Sequence, residues 1–202
     1  MKLVIVNTRC ANLASVDFAF RRLGVVPTIS ADPQVIRAAT HVVLPGVGTA
    51  SAAMRALHEL NLVEVLRQLT QPVLGICLGM QMLTHSSSEQ RGGQALPCLG
   101  VIPTRIERLT TKGALPLPHM GWNATEVSEH PLFKGFGNST PYFYYVHTYA
   151  APVDAYTIAR CDYTQSFAAA IGQDNFMGVQ FHPERSGEAG ARVLHNFLEV
   201  SC

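Results

Sequence analysis

The stretch PVLGICLGMQML, residues 72–83, joins a short apolar run directly to a segment with helical spacing. PVLGIC is typical of a buried strand, and LGMQML predicts the start of a helix. At the junction, Gly75, Cys77 and Gly79 form the pattern Gly-x-Cys-x-Gly, the thiol version of the nucleophile elbow. Such a turn exposes its central side chain at the carboxyl edge of a sheet, where ligands bind in open α/β folds.

The elbow alone leaves two interpretations of Cys77. A buried free cysteine behaves as a small hydrophobe and is usually inert. A cysteine at a strand-to-helix junction, by contrast, lies next to a helix amino terminus, which favours negative charge and therefore the nucleophilic thiolate. Backbone N–H groups at the same junction can hold an oxyanion.

The first half of the chain repeats this alternation of strand and helix. Apolar runs predict four strands, at residues 2–6, 26–30, 41–46 and 72–77. Helical patterns lie between them, from about Leu13 to Leu23 with Asn12 as the N-cap, and over 51–69. Asp32-Pro33 predicts a further helix start, with Asp32 as the cap and Pro33 in the first turn. Alternation with short connections predicts a parallel sheet covered on both faces.

The second half has a different pattern, with runs of strand-forming residues separated by Gly, Pro and Asn turns. Strands are predicted at residues 101–109, 122–127, 142–150, 156–161, 166–172 and 176–181, before an amphipathic helix from about Glu188. We expect most of them to be antiparallel additions to the sheet. The predicted fold class is therefore α/β: a single domain over residues 1–202, with a mixed, mostly parallel central sheet flanked by helices.

Composition excludes several classes of function. The 202 residues are 48% hydrophobic and 14% charged, with a net charge of +1 and no basic stripe, so neither nucleic acid nor an anionic membrane is expected as a partner. The five cysteines and eight histidines lack metal-type spacing, and we expect no metal and no cofactor. With no signal peptide and no apolar run of the roughly 20 residues that span a bilayer, a soluble protein of the reducing cytoplasm is expected.

A nucleophilic thiol needs a base, and the base needs an orienting group. VQFHPE, residues 179–184, contains both kinds of side chain, at His182 and Glu184. Pro183 biases His182 toward an extended conformation, and in an extended segment the two side chains share one side. Glu184 would then bond one imidazole nitrogen while the other faces Cys77. The alternative is a histidine that merely ends a strand, followed by a solvated glutamate.

A glycine-rich turn, LPGVG at residues 44–48, follows the third predicted strand. It would present backbone N–H groups beside the elbow, as the second half of an oxyanion hole requires. A plain tight turn or a phosphate-binding turn is the alternative.

In this order and at these separations, LPGVG, GICLGMQ and VQFHPE resemble the class I, triad-type glutamine amidotransferase domain over essentially the whole chain. The resemblance implies a catalytic triad with Cys77 as nucleophile, His182 as general base and Glu184 as the group that orients it. It also implies that the backbone N–H groups of Val47 and Leu78 are the oxyanion donors. Gly48 and Gln81 would contact the glutamine substrate.

The middle segments, above all PHMGWN at residues 118–123, are similar to the glutaminase subunits of imidazole glycerol phosphate synthase. This resemblance implies glutamine contacts at the backbone of Thr148 and Tyr149. It implies that Asn12 and Trp122 face a separate (β/α)₈ cyclase subunit in a heterodimer, to which ammonia passes in histidine biosynthesis. Asn7, Arg9 and Arg185 depart from the Asp, Gly and Lys expected of the family.

Two other functions share these motifs. A free-standing cysteine hydrolase, such as a γ-glutamyl hydrolase, would use the same triad without a partner. A catalytically silent regulatory subunit would keep the fold, but its Cys77 would not react with a glutamine-like electrophile.

Overall fold

The computed structural model describes residues 1–9, 12–89, 94–110 and 115–201. The strands are β1 (Leu3–Val6), β2 (Thr28–Ser30), β3 (His41–Gly46), β4 (Val73–Cys77), β5 (Thr84–Ser87), β6 (Leu96–Pro97), β7 (Ile102–Arg108), β8 (His119–Val127), β9 (Tyr142–His147), β10 (Tyr149–Ala150), β11 (Thr157–Asp162), β12 (Ser166–Gln173) and β13 (Phe176–Val179). The α-helices are α1 (Leu13–Arg22), α2 (Pro33–Arg37), α3 (Ala50–Glu59), α4 (Val63–Arg67), α5 (Leu78–Leu83) and α6 (Gly187–Glu199), and 3₁₀ turns lie at Pro131–Phe133 and Pro183–Arg185.

The central sheet contains nine strands in the order β2-β1-β3-β4-β13-β12-β11-β8-β9. Pairing is parallel from β2 to β13 and antiparallel from β13 to β9, so β13 is the seam between two halves. The mixed α/β sheet with antiparallel additions is confirmed. In this nine-stranded sheet, parallel and antiparallel strand pairs are equally represented, so the sheet is not mostly parallel.

Two apolar layers cover the two faces of this sheet. On one face, Leu57 of α3, Leu66 of α4 and Met80 of α5 pack against residues such as Val4. On the other face, helices α1 and α6 pack against residues such as Ile5 and Phe181. Successive residues of β1 serve opposite layers, as the two-residue period of a strand requires.

The predicted starts and ends of the first helices agree with the structure. Asn12 caps α1 by accepting from Ser15 N, and α1 ends before Gly24, whose φ is 81°. Asp32 accepts from Gln34 N, and Pro33 occupies the first turn of α2. The single helix expected over 51–69 is wrong, because the chain leaves helical geometry at Asn61, with φ of 54°, and divides into α3 and α4.

Part of the antiparallel prediction is also wrong. β7 is no addition to the central sheet but belongs to a four-stranded sheet in the order β10-β7-β5-β6. β5 has the polar sequence THSS, which gave no strand signal, and it pairs parallel with β7. The run 142–150 divides at Thr148, so that β9 pairs with β8 while β10 pairs with β7.

Glycines let α5 rest directly on the strands beneath it. A Cβ on Gly79 would lie 1.7 Å from the Leu44 carbonyl oxygen of β3, and a Cβ on Gly75 would lie 2.6 Å from the Met80 backbone nitrogen. The two glycines of the elbow are therefore required by backbone contact. Across the described ranges, we find no helix with the length and apolarity needed to cross a bilayer.

Candidate active site

Cys77 lies at the junction of β4 and α5 with φ of 53° and ψ of −111°. A positive φ is costly for a residue with a Cβ and persists only where the surrounding structure imposes it. In the sheet register, Cys77 pairs with Gly46 at the end of β3, and its neighbour Ile76 pairs with Val179 at the end of β13. The elbow is thus surrounded by the carboxyl ends of parallel strands, as the sequence predicted.

His182 and Glu184 form a hydrogen-bonded pair, with 2.8 Å between Nδ1 and Oε1. The sequence predicts an extended segment from His182 to Glu184, but only His182 is extended, with φ and ψ of −99° and 94°. From Pro183 the chain turns into a 3₁₀ helix, closed by Arg185 N donating to the His182 carbonyl. Proline is favourable at the start of such a turn because its φ is preset and its missing N–H has no partner there. The turn, rather than strand alternation, brings Glu184 to the ring.

The second nitrogen of the His182 ring, Nε2, is buried and has no hydrogen-bond partner among the described residues. Burial disfavours the imidazolium, but the interactions with Cys77 and Glu184 outweigh burial and raise the pKa of His182 to about 10. His182 is therefore cationic at neutral pH, beside the thiol and with Glu184 behind it.

A cavity of about 410 Å³ gathers the candidate residues, within the range usual for small-molecule sites. Its walls are Asn12, Val47, Gly48, Cys77, Leu78, Gln81, Glu89, Pro118, Val146, His147, Thr148, Tyr149, His182, Glu184 and Arg185. Every predicted site residue except Trp122 is among them. Trp122 lies on the outer surface of β8, with 55% of it exposed.

Gln81 connects α5 to the Thr148–Tyr149 segment. Its Nε2 donates to the Tyr149 carbonyl at 3.0 Å and to Gln180 Oε1 at 2.9 Å. His147 Nδ1 lies 2.9 Å from the same carbonyl. The backbone that the resemblance assigns to glutamine binding is therefore held from two sides by buried side chains.

Gln180 is a residue of the site that the sequence motifs did not single out. This glutamine is fully buried, and its Nε2 donates to Cys77 Sγ at 3.7 Å. The residue was within the quoted VQFHPE motif, two positions before His182. That spacing places both residues on one side of an extended strand end, so strand alternation could have indicated it.

The buried pair of His119 and His147 was also missed as a pair. Nδ1 of His119 lies 3.0 Å from Nε2 of His147, and the two residues are opposite each other in the β8–β9 register. Burial lowers the pKa of His119 to about 4 and that of His147 to about 3, so both rings are neutral at physiological pH. The described chain contains no cluster of three or more His, Cys, Asp or Glu residues suited to a metal.

Asn7, Arg9 and Arg185, the three residues that depart from the family pattern, each make a defined local contact. Arg9 has a φ of 60°, a backbone conformation that glycine adopts most easily, and its N–H donates to Asn7 Oδ1 at 3.1 Å. The Arg185 guanidinium lies over the Tyr144 ring, 4.6 Å from its centroid. Neither Asn7 nor Arg9 lines the cavity, whereas Arg185 lies at its wall.

Comparison with known proteins agrees with this geometry. Residues 13–200 match the family model for glutamine amidotransferase class-I. An imidazole glycerol phosphate synthase subunit HisH from Shewanella loihica is 54% identical over 98% of this chain and 91% of the relative. The HisH subunit from Vibrio cholerae is also 54% identical, over 98% of each chain.

Solved structures share the fold at low identity. A crystal structure of a glutamine amidotransferase superposes with a TM-score of 0.74 at 17% identity, covering 97% of each chain. PurLQS from Thermotoga maritima superposes with a TM-score of 0.72 at 18% identity, over 98% of this chain and 97% of that one. The chain belongs to the class-I glutamine amidotransferases and, among them, to the HisH subunits of imidazole glycerol phosphate synthase.

Proposed function

We propose that this chain is the glutaminase subunit of an imidazole glycerol phosphate synthase, acting in histidine biosynthesis. It hydrolyses glutamine to glutamate and ammonia. The observation that carries the proposal is the arrangement of Cys77, in a strained elbow, beside the hydrogen-bonded His182–Glu184 pair in one cavity. The 54% identity to HisH subunits over nearly the full chain supports the same function.

In the first half of the reaction, the Cys77 thiolate attacks the side-chain amide carbon of glutamine. Backbone N–H groups of Leu78 and Val47 hold the oxygen of the tetrahedral intermediate; loss of one such donor typically costs about 10²–10³ in rate. His182, cationic at neutral pH, donates its proton to the departing nitrogen. The carbon–nitrogen bond breaks, and ammonia and a γ-glutamyl thioester are formed.

In the second half, His182 is neutral and accepts a proton from water, which attacks the thioester carbonyl. Glutamate leaves, and the thiolate and the imidazolium are restored. Glu184 keeps the ring oriented through its bond to Nδ1, so that Nε2 remains directed at the reacting atoms.

The α-amino and α-carboxylate groups of glutamine bind where Gly48, Gln81 and the backbone of Thr148 and Tyr149 line the cavity. The hydrogen bonds from Gln81 and His147 to the Tyr149 carbonyl make this wall rigid before the substrate arrives. Pre-organised contacts of this kind favour binding because little conformational entropy is lost.

The partner is a (β/α)₈ cyclase subunit, bound as a heterodimer. Free ammonia is mostly ammonium near pH 7, so direct transfer to an acceptor protein is an advantage. The outward face of the β8–β9 hairpin exposes 63% of Met120, 55% of Trp122 and 60% of Tyr142, an apolar patch next to the cavity wall at Val146. Exposed apolar patches of this kind are typical of protein interfaces.

We expect the isolated subunit to be a slow glutaminase. Gly48 has a φ of 99°, and glycine adopts both positive and negative φ at little steric cost, so the peptide beside Val47 can turn over. The cyclase and its ligand would then favour the orientation that donates to the oxyanion. The chemistry also needs a reduced Cys77, and the cytoplasm is a reducing compartment.

The test is glutamine hydrolysis by the wild type and by Cys77→Ser, each with and without the cyclase subunit and its nucleotide ligand. We expect activity to be low alone, to rise with the cyclase, and to be lost in Cys77→Ser. Cys98→Ser is the matched control, because Cys98 is a buried free thiol that does not line the cavity.

Each alternative function gives a different result. Activity that survives Cys77→Ser contradicts the mechanism. Full activity without the cyclase indicates a free-standing hydrolase. Failure of Cys77 to react with a glutamine-like electrophile indicates a silent regulatory subunit.

A further inference from the structure

We propose that Gln180 is a positioning residue, which directs a hydrogen-bond donor at the Cys77 sulfur and also sets the orientation of the Gln81 amide. The inference rests on the proposed function and deepens it. It assigns a role to a buried side chain outside the catalytic triad. Of the three triad residues, Cys77 is the one hydrogen-bonded to Gln180, whereas His182 and Glu184 bond to each other.

The direction of every hydrogen bond in this network follows from one backbone group. The Tyr149 carbonyl can only accept, so the Gln81 atom at 3.0 Å from it is the donor Nε2. The same Nε2 lies 2.9 Å from the Gln180 side chain, so the facing atom of Gln180 is its acceptor Oε1. The other end of the Gln180 amide, Nε2, is therefore the atom that faces Cys77 Sγ.

The donor at Cys77 acts where water cannot compete. Gln180 is fully buried and Cys77 is 8% exposed, so an N–H···S contact in this position is not replaced by solvent. A hydrogen bond to the charged form of a group favours that form. Gln180 thus stabilises the thiolate in addition to the interaction between Cys77 and His182.

The effect at Gln81 is on substrate recognition. Both contacts of this amide use Nε2, to Tyr149 and to Gln180. Its Oε1 takes no part in these bonds and remains an acceptor on a side chain that lines the cavity. An acceptor suits the α-ammonium group of an amino acid, whereas the opposite orientation of the amide would present a donor to it. Gln180 therefore couples the reactive sulfur to the part of the site that recognises the substrate's amino group.

The experiment measures the rate at which iodoacetamide alkylates Cys77 as a function of pH, followed by mass spectrometry of the Cys77 peptide. Gln180→Met keeps the side-chain volume but removes both hydrogen bonds. We expect the midpoint of its pH dependence to rise by about one pH unit or more. With the cyclase present, kcat for glutamine should fall and KM should rise, each by about threefold to tenfold.

Gln180→Glu removes the amide donor while keeping an acceptor for Gln81. A carboxylate beside the sulfur opposes the thiolate, so we expect the alkylation profile to move at least as far as in Gln180→Met. KM should change less than in Gln180→Met, since the bond to Gln81 is retained. This separation of kcat from KM is not expected of a residue that only fills space.

Asn175→Met is the matched control at the other end of β13. The Asn175 amide also makes two hydrogen bonds, to the carbonyl oxygens of Leu69 and Gln71. None of these three residues lines the cavity. We expect this variant to lose stability and to keep the wild-type alkylation profile. The proposal is overturned if Gln180→Met has the wild-type profile, or if Asn175→Met shifts it equally. Alkylation is independent of turnover, so a wild type that fails to hydrolyse glutamine contradicts the proposed function without hiding this result.

Discussion

The parallel and antiparallel halves of the central sheet meet at β13 and position the site by different means. In the parallel half, from β2 to β13, backbone packs on backbone, and glycines make the close approach of α5 possible. In the antiparallel half, from β12 to β9, buried side chains bond to one another, as His119 and His147 do. The position of the nucleophile therefore depends on backbone contacts that tolerate no added atom, whereas the antiparallel half depends on side-chain contacts that can be replaced one at a time.

The largest expected effect on stability comes from adding a methyl group where α5 contacts β3 in the parallel half. In Gly79→Ala the new methyl group would lie 1.7 Å from the Leu44 carbonyl oxygen, which belongs to a buried strand and cannot move aside. We expect a loss of more than about 4 kcal/mol in the free energy of unfolding, or no folded protein. Urea unfolding followed by circular dichroism measures it.

Gly121→Ala is the matching change in the antiparallel half. Gly121 has a φ of 134° but nothing within 4 Å of its Cβ position, so the cost is backbone strain alone, about 1–2 kcal/mol. Equal losses in the two variants would contradict the contrast between the halves.

A second, smaller effect tests the buried histidines of the antiparallel half. Their pKa values, about 4 for His119 and about 3 for His147, lie below the ordinary value of 6.5. The unfolded chain therefore binds more protons than the folded chain below about pH 6.5, and stability falls as the pH falls from there toward 4. We expect a loss of roughly 2–4 kcal/mol from this pair, measured by urea unfolding at pH 7.5 and pH 4.5.

The variant His147→Gln should reduce this pH dependence, because glutamine does not titrate. His58→Gln is the control, since His58 is exposed and should leave the dependence as it is in the wild type. A pH dependence that is the same in His147→Gln as in the wild type would refute the buried neutral pair.

The smallest expected effect on the isolated chain belongs to the exposed face of the same half. Trp122→Ala should change the free energy of unfolding by less than about 1 kcal/mol, because the ring is more than half exposed. Its affinity for the cyclase should fall by about tenfold to a hundredfold, as expected of an interface tryptophan. Val153→Ala, at a residue that is 46% exposed and outside this face, should leave the affinity unchanged. Titration calorimetry with the cyclase measures the affinity of both variants, and urea unfolding measures the stability of Trp122→Ala.

Much of the fold followed from local patterns, because strand and helix periods are local properties. The strands around Cys77 and the caps at Asn12 and Asp32 lie where they were predicted. The polar strand β5 and the division at Thr148 did not follow, because pairing with β7 determines both. The chain forms a 3₁₀ turn at Pro183 where an extended segment was predicted. The turn still brings the His182 and Glu184 side chains into hydrogen-bond contact.

Motifs along the chain were sufficient to indicate the family, the α/β alternation and ten of the residues that line the cavity, since motif spacing is a property of the linear sequence. Which side chains bond to one another depends instead on the tertiary structure. Gln180 donates to Cys77 although 103 positions separate them, and His119 meets His147 across two strands. Such contacts come from the register of distant strands, which no local pattern specifies, and the amide orientations then follow from a single carbonyl oxygen at Tyr149.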